Sequence, residues 1–175
     1  MGACNPPTDA GRHPLSERFL RHCPLIFVDF PGPESLKQIY GTFNRAMLKR
    51  APALKNLADS LTDGMVEFYT KSQQHFTADM QPHYIYSPRE LTRWKYAIFE
   101  ALPSIDCQED LVRLFVHEAL RLFEDRLVHP HEKEWCNRTL DEVANRYFPK
   151  ADIMRSLERP ILFTNYLSKN YTSVK

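Results

Sequence analysis

At residue 33 the apolar residues of this chain begin to recur every three or four positions, and the pattern holds to about residue 150. A chain patterned in that way buries its apolar faces by packing helix on helix. Leu36, Ile39, Tyr40, Phe43, Met47 and Leu48 form the first stripe, closed by the break at Pro52, and Leu54, Leu57, Leu61, Met65, Phe68 and Tyr69 form the second. A third helix is predicted from Ser87 through Leu91, Trp94, Tyr96 and Ile98 to about Leu102. The fourth, "EDLVRLFVHEALRLFEDRL", is apolar over a face wide enough to be central to a bundle. A fifth is predicted to open at Thr139, with Glu142 at capping-box spacing, and to close near Pro149. Trp94, Phe99, Phe115 and Phe123 read as core at helical spacing.

The residues before 33 obey a different rule. "CPLIFVDF", bounded by Pro24 and by Pro31-Gly32, is apolar almost throughout and reads as a strand buried on both faces, with a second short strand in "GAC". Such strands need neighbours on both sides, so residues 1–32 are expected to be the end of an α/β sheet whose other strands lie elsewhere. Cys4 and Cys23, beside these strands, read as small core residues. After the helices, "RPILFTNYLSKNY" looks extended and has no obvious partner within the chain. The expected fold class is therefore mainly α, with one or two strands ahead of a self-contained helical unit.

Composition narrows the function classes. The 23 basic and 22 acidic residues are interspersed, so no basic stripe marks a nucleic-acid face. "MGACNPPTDAGRH" lacks the apolar core of a signal peptide, and no run approaches the roughly 18 apolar residues of a membrane span, so the expectation is a cytosolic chain without a membrane partner. The four cysteines show no paired spacing and read as reduced thiols.

Two apparent metal motifs fail on spacing. "VHEALR" carries Arg121 where a second histidine would be needed, and "HPHEKEWC" spaces His129, His131 and Cys136 unlike a zinc knuckle and reads as a solvated turn, so no metal site is expected. A third local feature is a misfit. In "SPRELTRW", Ser87, Pro88 and Glu90 form a capping box with proline at the first helical position. Arg89 then sits in the first turn, where the helix dipole disfavours an exposed cation by roughly 0.3–1 kcal/mol. Two readings account for it: an ion pair with Glu90 or a neighbouring carboxylate, or a bound phosphate, which a helix N-terminus also attracts. Arg93, one turn on, is expected at the surface or at an interface of the helical unit.

Five separated blocks, "GACNPPTDAGRHPLSERFLRH", "DFPGPESLKQIYGTFNRAML", "QPHYIYSPRELTRW", "HEALRLFEDRL" and "RPILFTNYLSKNY", resemble in order the cytoplasmic dynein heavy chains, in the third AAA+ module of the motor ring. The resemblance implies that residues 1–32 close an AAA+ large subdomain, 33–150 form its helical lid, and 151–175 lead toward the next module. It also implies site roles. Asn5, ending the strand next to the phosphate-binding loop, would contact the γ-phosphate or the attacking water; without the resemblance, Asn5 reads first as the start of the Asn-Pro turn. Arg21 would be the arginine finger reaching the nucleotide of the preceding module; Arg18 is the alternate, and Arg12 lies in the loop before them. Arg89 would be the second sensor arginine, pointing into the module's own cleft.

The chain holds no G-x-x-x-x-G-K-[ST] loop and no strand ending in paired acids, so alone it is expected not to hydrolyse ATP. By resemblance, the parent would be an ATP-driven microtubule motor of the cytoplasm and cytoskeleton. It would use ATP/ADP with Mg, with the neighbouring AAA+ modules, a heavy-chain dimer and microtubules as partners. The fragment would contribute sensing and coupling. The competing reading is a stand-alone helical adaptor that docks on another protein through its apolar strand region.

Overall fold

In the computed structural model, the described residues are 2–4, 13–149, 151–152, 156–164 and 172–173. They fall into two compact units, Met1–Phe30 and Pro31–Lys175.

The first unit contains one short helix, α1 (Glu17–Leu20), started by Ser16, whose side chain accepts the Phe19 N–H. The stretch predicted as a buried strand forms no helix and pairs with nothing among the described residues, and Ile26 and Val28 are each 83 % exposed. Gly2–Cys4 is likewise unpaired, and both Cys4 and Cys23 are exposed rather than core. The physical reason is the one that made the strand readable. A run apolar on both faces is stable as a strand only between neighbours that satisfy its backbone and cover its sides.

The second unit is a helical bundle, as its period demands. Helix α2 (Pro33–Leu48) starts with Pro33 at its first position and is followed by a 3-10 turn, Pro52–Leu57, that leads directly into α3 (Ala58–His75). The second predicted helix thus exists with its first turn tightened, as proline at the start of a short turn favours. Helix α4 (Pro88–Ala101) begins at the predicted capping box. Helix α5 (Gln108–Ala119) continues into a π turn, Leu120–Glu124, closed by a bond from the Asp125 N–H to the Leu120 carbonyl.

Helix α6 (Pro130–Tyr147) starts well before Thr139. Its capping box is His129 with Glu132, whose carboxylate accepts the His129 N–H at 2.9 Å. "HPHEKEWC" is therefore the opening of a helix and not a solvated turn, and Thr139 and Glu142 lie inside it. Imidazole is not among the preferred caps, so the box was not legible from residue preference.

The core sits where α3, α4, α5 and the π turn converge. Trp94 packs at 4.7 Å from Phe115 and 5.7 Å from Phe123, with Phe68 edge-on to both Trp94 and Phe123. All four are fully buried, and the Trp94 indole N–H donates to the Phe115 carbonyl at 3.1 Å. Phe99 departs from the expected core. It is exposed, with the Arg50 guanidinium lying 5.3 Å over its ring. Its stripe faces the rim of the bundle, where a cation can cover an aromatic face without burial.

The segment after α6 has partners. Phe163–Thr164 (β1) and Thr172–Ser173 (β2) pair antiparallel. Arg113 of α5 donates to the carbonyls of Glu158 (3.0 Å) and Pro160 (2.9 Å), and His117 Nδ1 lies 3.0 Å from the Ile161 carbonyl. Arg159 reaches back to Asn137 and Asp141 on α6.

Candidate functional site

The start of α4 is held from several sides. The Glu90 carboxylate accepts the Ser87 N–H at 2.8 Å and the Ser87 hydroxyl at 3.0 Å, while the Arg89 N–H points at the Ser87 Oγ from 3.4 Å. Tyr40, 48 residues earlier on α2, donates its hydroxyl to the Pro88 carbonyl at 2.6 Å and lies 2.8 Å from Thr92 Oγ1. The Tyr86 carbonyl accepts from Gln73 at 3.2 Å and from Tyr69 at 3.5 Å. Burial, with the Glu90 charge adding to it, pushes the Tyr69 phenol up to about 12, so it stays protonated and able to donate.

Arg126, just beyond the π turn, completes the ring of contacts. Its guanidinium donates to the Ile85 carbonyl at 3.2 Å, lies 3.4 Å from Glu90 Oε1, and covers the Tyr86 ring at 4.8 Å. Glu90 is only 5 % exposed, so its negative charge is both buried and matched. That charge occupies the first turn of α4 and itself complements the helix dipole, which reduces the misfit attributed to Arg89.

Arg89 is exposed, and among the described residues no ion pair holds it. The carboxylate that was the nearest alternative partner belongs to Ser87 and Arg126. Arg93 is also exposed and lines a groove of about 580 Å³ with Tyr96, Glu100, Arg121, Asp125 and Arg126.

Other predicted residues fall elsewhere. Asn5 and Arg12 lie outside the described residues. Arg18 and Arg21 belong to the first compact unit and Arg89 to the second. Arg18 is in the last turn of α1, and Arg21 ends that helix, exposed, with its Nε donating to His22 Nε2 at 2.9 Å. Among the remaining motifs, Arg121 pairs with the buried Glu118 at 2.7 Å. His129 and His131 stack at 5.4 Å, while Cys136 is buried, its thiol pushed up to about 12 by burial. Sequence reasoning missed Arg126 and Tyr40, because their partners lie 36 or more residues away and neither belongs to a local motif.

Residues 43–133 match the family model described as "Dynein heavy chain, ATPase lid domain". The chain belongs to the dynein heavy chain family. The matched span contains α3, α4, α5 and the π turn, and with them Ser87, Arg89, Glu90 and Arg126, while Tyr40 lies just before it. The chain is 70% identical over 174 residues to the cytoplasmic dynein heavy chain of Paramecium tetraurelia and 59% identical over 176 residues to that of Drosophila melanogaster. It is 57% identical over 176 residues to the dynein heavy chain-like protein 1 of Plasmodium falciparum. Each alignment covers 99% of this chain, but only 4% of the first two relatives and 3% of the third. The chain thus spans a small part of the length of the dynein heavy chains it matches.

Proposed function

We propose that this chain is the C-terminal part of the third AAA+ module of a cytoplasmic dynein heavy chain, and that it senses nucleotide and couples neighbouring modules. Residues 1–32 close the large subdomain, 33–150 are its lid, and 151–175 lead toward the next module. The order of the sequence blocks and the cytoplasmic class of the relatives support this placement. The whole protein would be an ATP-driven microtubule motor of the cytoplasm and cytoskeleton, working as a heavy-chain dimer. Residues 1–175 alone would not turn ATP over. A stand-alone adaptor is disfavoured by the lid match.

The observation that carries the sensing role is the state of Arg89. It stands at the front of α4 with an exposed guanidinium, while the carboxylate beside it is committed to Ser87 and Arg126. A planar, permanently charged fork held in this way fits one phosphate contact. ATP or ADP with Mg would supply the phosphate charge; the loop and acidic pair that hold phosphates and metal are not in this sequence. Arg89 would add an orienting contact to the module's own nucleotide. Asn5 would act on the same nucleotide, and Arg21, with Arg18 as alternate, on that of the preceding module. The test is Arg89→Ala in a full-length heavy chain carrying this segment, with ATP titrated at the third module. Unaltered affinity would remove the sensing role.

A further inference from the structure

We propose that Arg126 is a positioning residue for Arg89: it anchors residues 83–90, the approach to α4 and its first residues, and so sets where the Arg89 guanidinium stands. The consequence for nucleotide rests on the sensing role of Arg89; the anchoring stands on geometry alone. Four contacts converge on this one residue. Its guanidinium donates to the Ile85 carbonyl, approaches the buried Glu90 carboxylate and covers the Tyr86 ring, and its own carbonyl lies 3.0 Å from His83 Nε2. The partners before α4 therefore span residues 83 to 86, and the partner within it immediately follows Arg89.

The π turn gives the arrangement its aim. Closing with a bond from Asp125 N–H to Leu120 carbonyl, it contains one more residue than an α-helical turn would, and Leu127 N–H then bonds to the Glu124 carbonyl. Arg126 lies in the tight turn between these bonds, so its backbone is fixed on both sides. Its side chain is 23% exposed and that of Glu90 7%, so the pair is shielded from solvent where Arg89 is not. A lysine could meet Glu90 or the Ile85 carbonyl but has no planar fork to span both while covering Tyr86.

The test uses the full-length heavy chain carrying Arg126→Ala or Arg126→Lys, each alone and combined with Arg89→Ala. Hydrogen exchange of the amides at 83–91 and ATP affinity at the third module are both measured. The expected result is faster exchange at 83–91 in both Arg126 variants, beyond any acceleration across the rest of the bundle. ATP affinity is expected to fall by about tenfold, and the double variant is expected to bind ATP no more weakly than Arg89→Ala alone. Unchanged exchange at 83–91 overturns the proposal, as does an acceleration no greater at 83–91 than over α2 to α6, which would make Arg126 a general stabiliser. A loss of affinity that adds in full to that of Arg89→Ala also overturns it, because Arg126 would then act on its own account. Faster local exchange with ATP affinity indifferent to Arg89→Ala supports the anchoring and removes the sensing role instead.

Discussion

Glu90 and Arg126 meet at 3.4 Å across 36 residues of sequence, joining the first turn of α4 to the turn that follows the π segment. The carboxylate also accepts the Ser87 N–H and hydroxyl, so one buried charge serves a helix cap and a tertiary contact together. Losing the arginine leaves that charge with its local donors only. Arg126→Ala should therefore lower stability by about 2 kcal/mol, less than the roughly 3–5 kcal/mol of a fully uncompensated buried ion. Denaturant unfolding followed by far-UV circular dichroism measures the difference, and a change below about 0.5 kcal/mol would show that the pair contributes little.

Arg89→Ala should behave oppositely. An exposed cation with no ion pair among the described residues contributes little to folding, so unfolding should shift by no more than about 0.5 kcal/mol in either direction. ATP affinity at the third module should fall about ten- to a hundredfold, the worth of one charge-assisted contact. Melting and ATP titration on the same variant separate the two effects.

Trp94→Ala should be the most damaging of these substitutions. The indole is fully buried against Phe68, Phe115 and Phe123 and bonded to the Phe115 carbonyl. Removing it leaves a cavity costing about 3–5 kcal/mol. A midpoint of thermal unfolding within a few degrees of the parent would contradict the packing.

Glu132 supplies a pH dependence. Burial raises its pKa, but the Tyr84 hydroxyl at 2.6 Å and the His129 N–H outweigh burial and hold it below the usual carboxylate range. A depressed folded pKa stabilises the protein above the unfolded value, and that contribution disappears as pH falls through the folded one. The stability gap between the parent and Glu132→Gln should therefore be full at neutral pH and shrink below about pH 4. Urea titrations at a series of pH values test it; a gap constant down to pH 2 would deny the carboxylate its charge-dependent role.

Arg113→Ala should loosen the chain after α6 without unfolding the bundle. The guanidinium holds the Glu158 and Pro160 carbonyls, and its loss should speed exchange and proteolysis within 156–164. Equal protection in parent and variant would show that the Arg159 contacts suffice.

What the sequence disclosed was local. The box at Ser87 and Glu90 was legible because its members are three residues apart and the pattern carries its own mechanism. The start of α6 was not, because histidine stands where serine or threonine would announce a cap. Spacing placed Phe99 on a helical stripe but could not reveal that Arg50 would cover it in place of core. The contacts of Tyr40 and Arg126 depend on how helices pack, which periodicity leaves open. The reading of Arg89 shifted for a similar reason: its misfit with the dipole was visible, but the buried counter-charge one residue on takes its effect only from a distant arginine.

The exposed run Leu25–Val28 has a further consequence for anyone handling this polypeptide. Leucine, isoleucine, phenylalanine and valine in succession, each more than 70 % exposed, make a short adhesive segment of high β-propensity. Pro24 precedes it and Asp29 and Pro31 follow it, which are the residue types that limit edge-to-edge stacking between chains. Colloidal behaviour should therefore be governed by these few positions rather than by the helical bundle. A polar substitution at Ile26 should raise solubility at high concentration with the melting of the bundle unaltered, and replacing Asp29 with an apolar residue should promote aggregation.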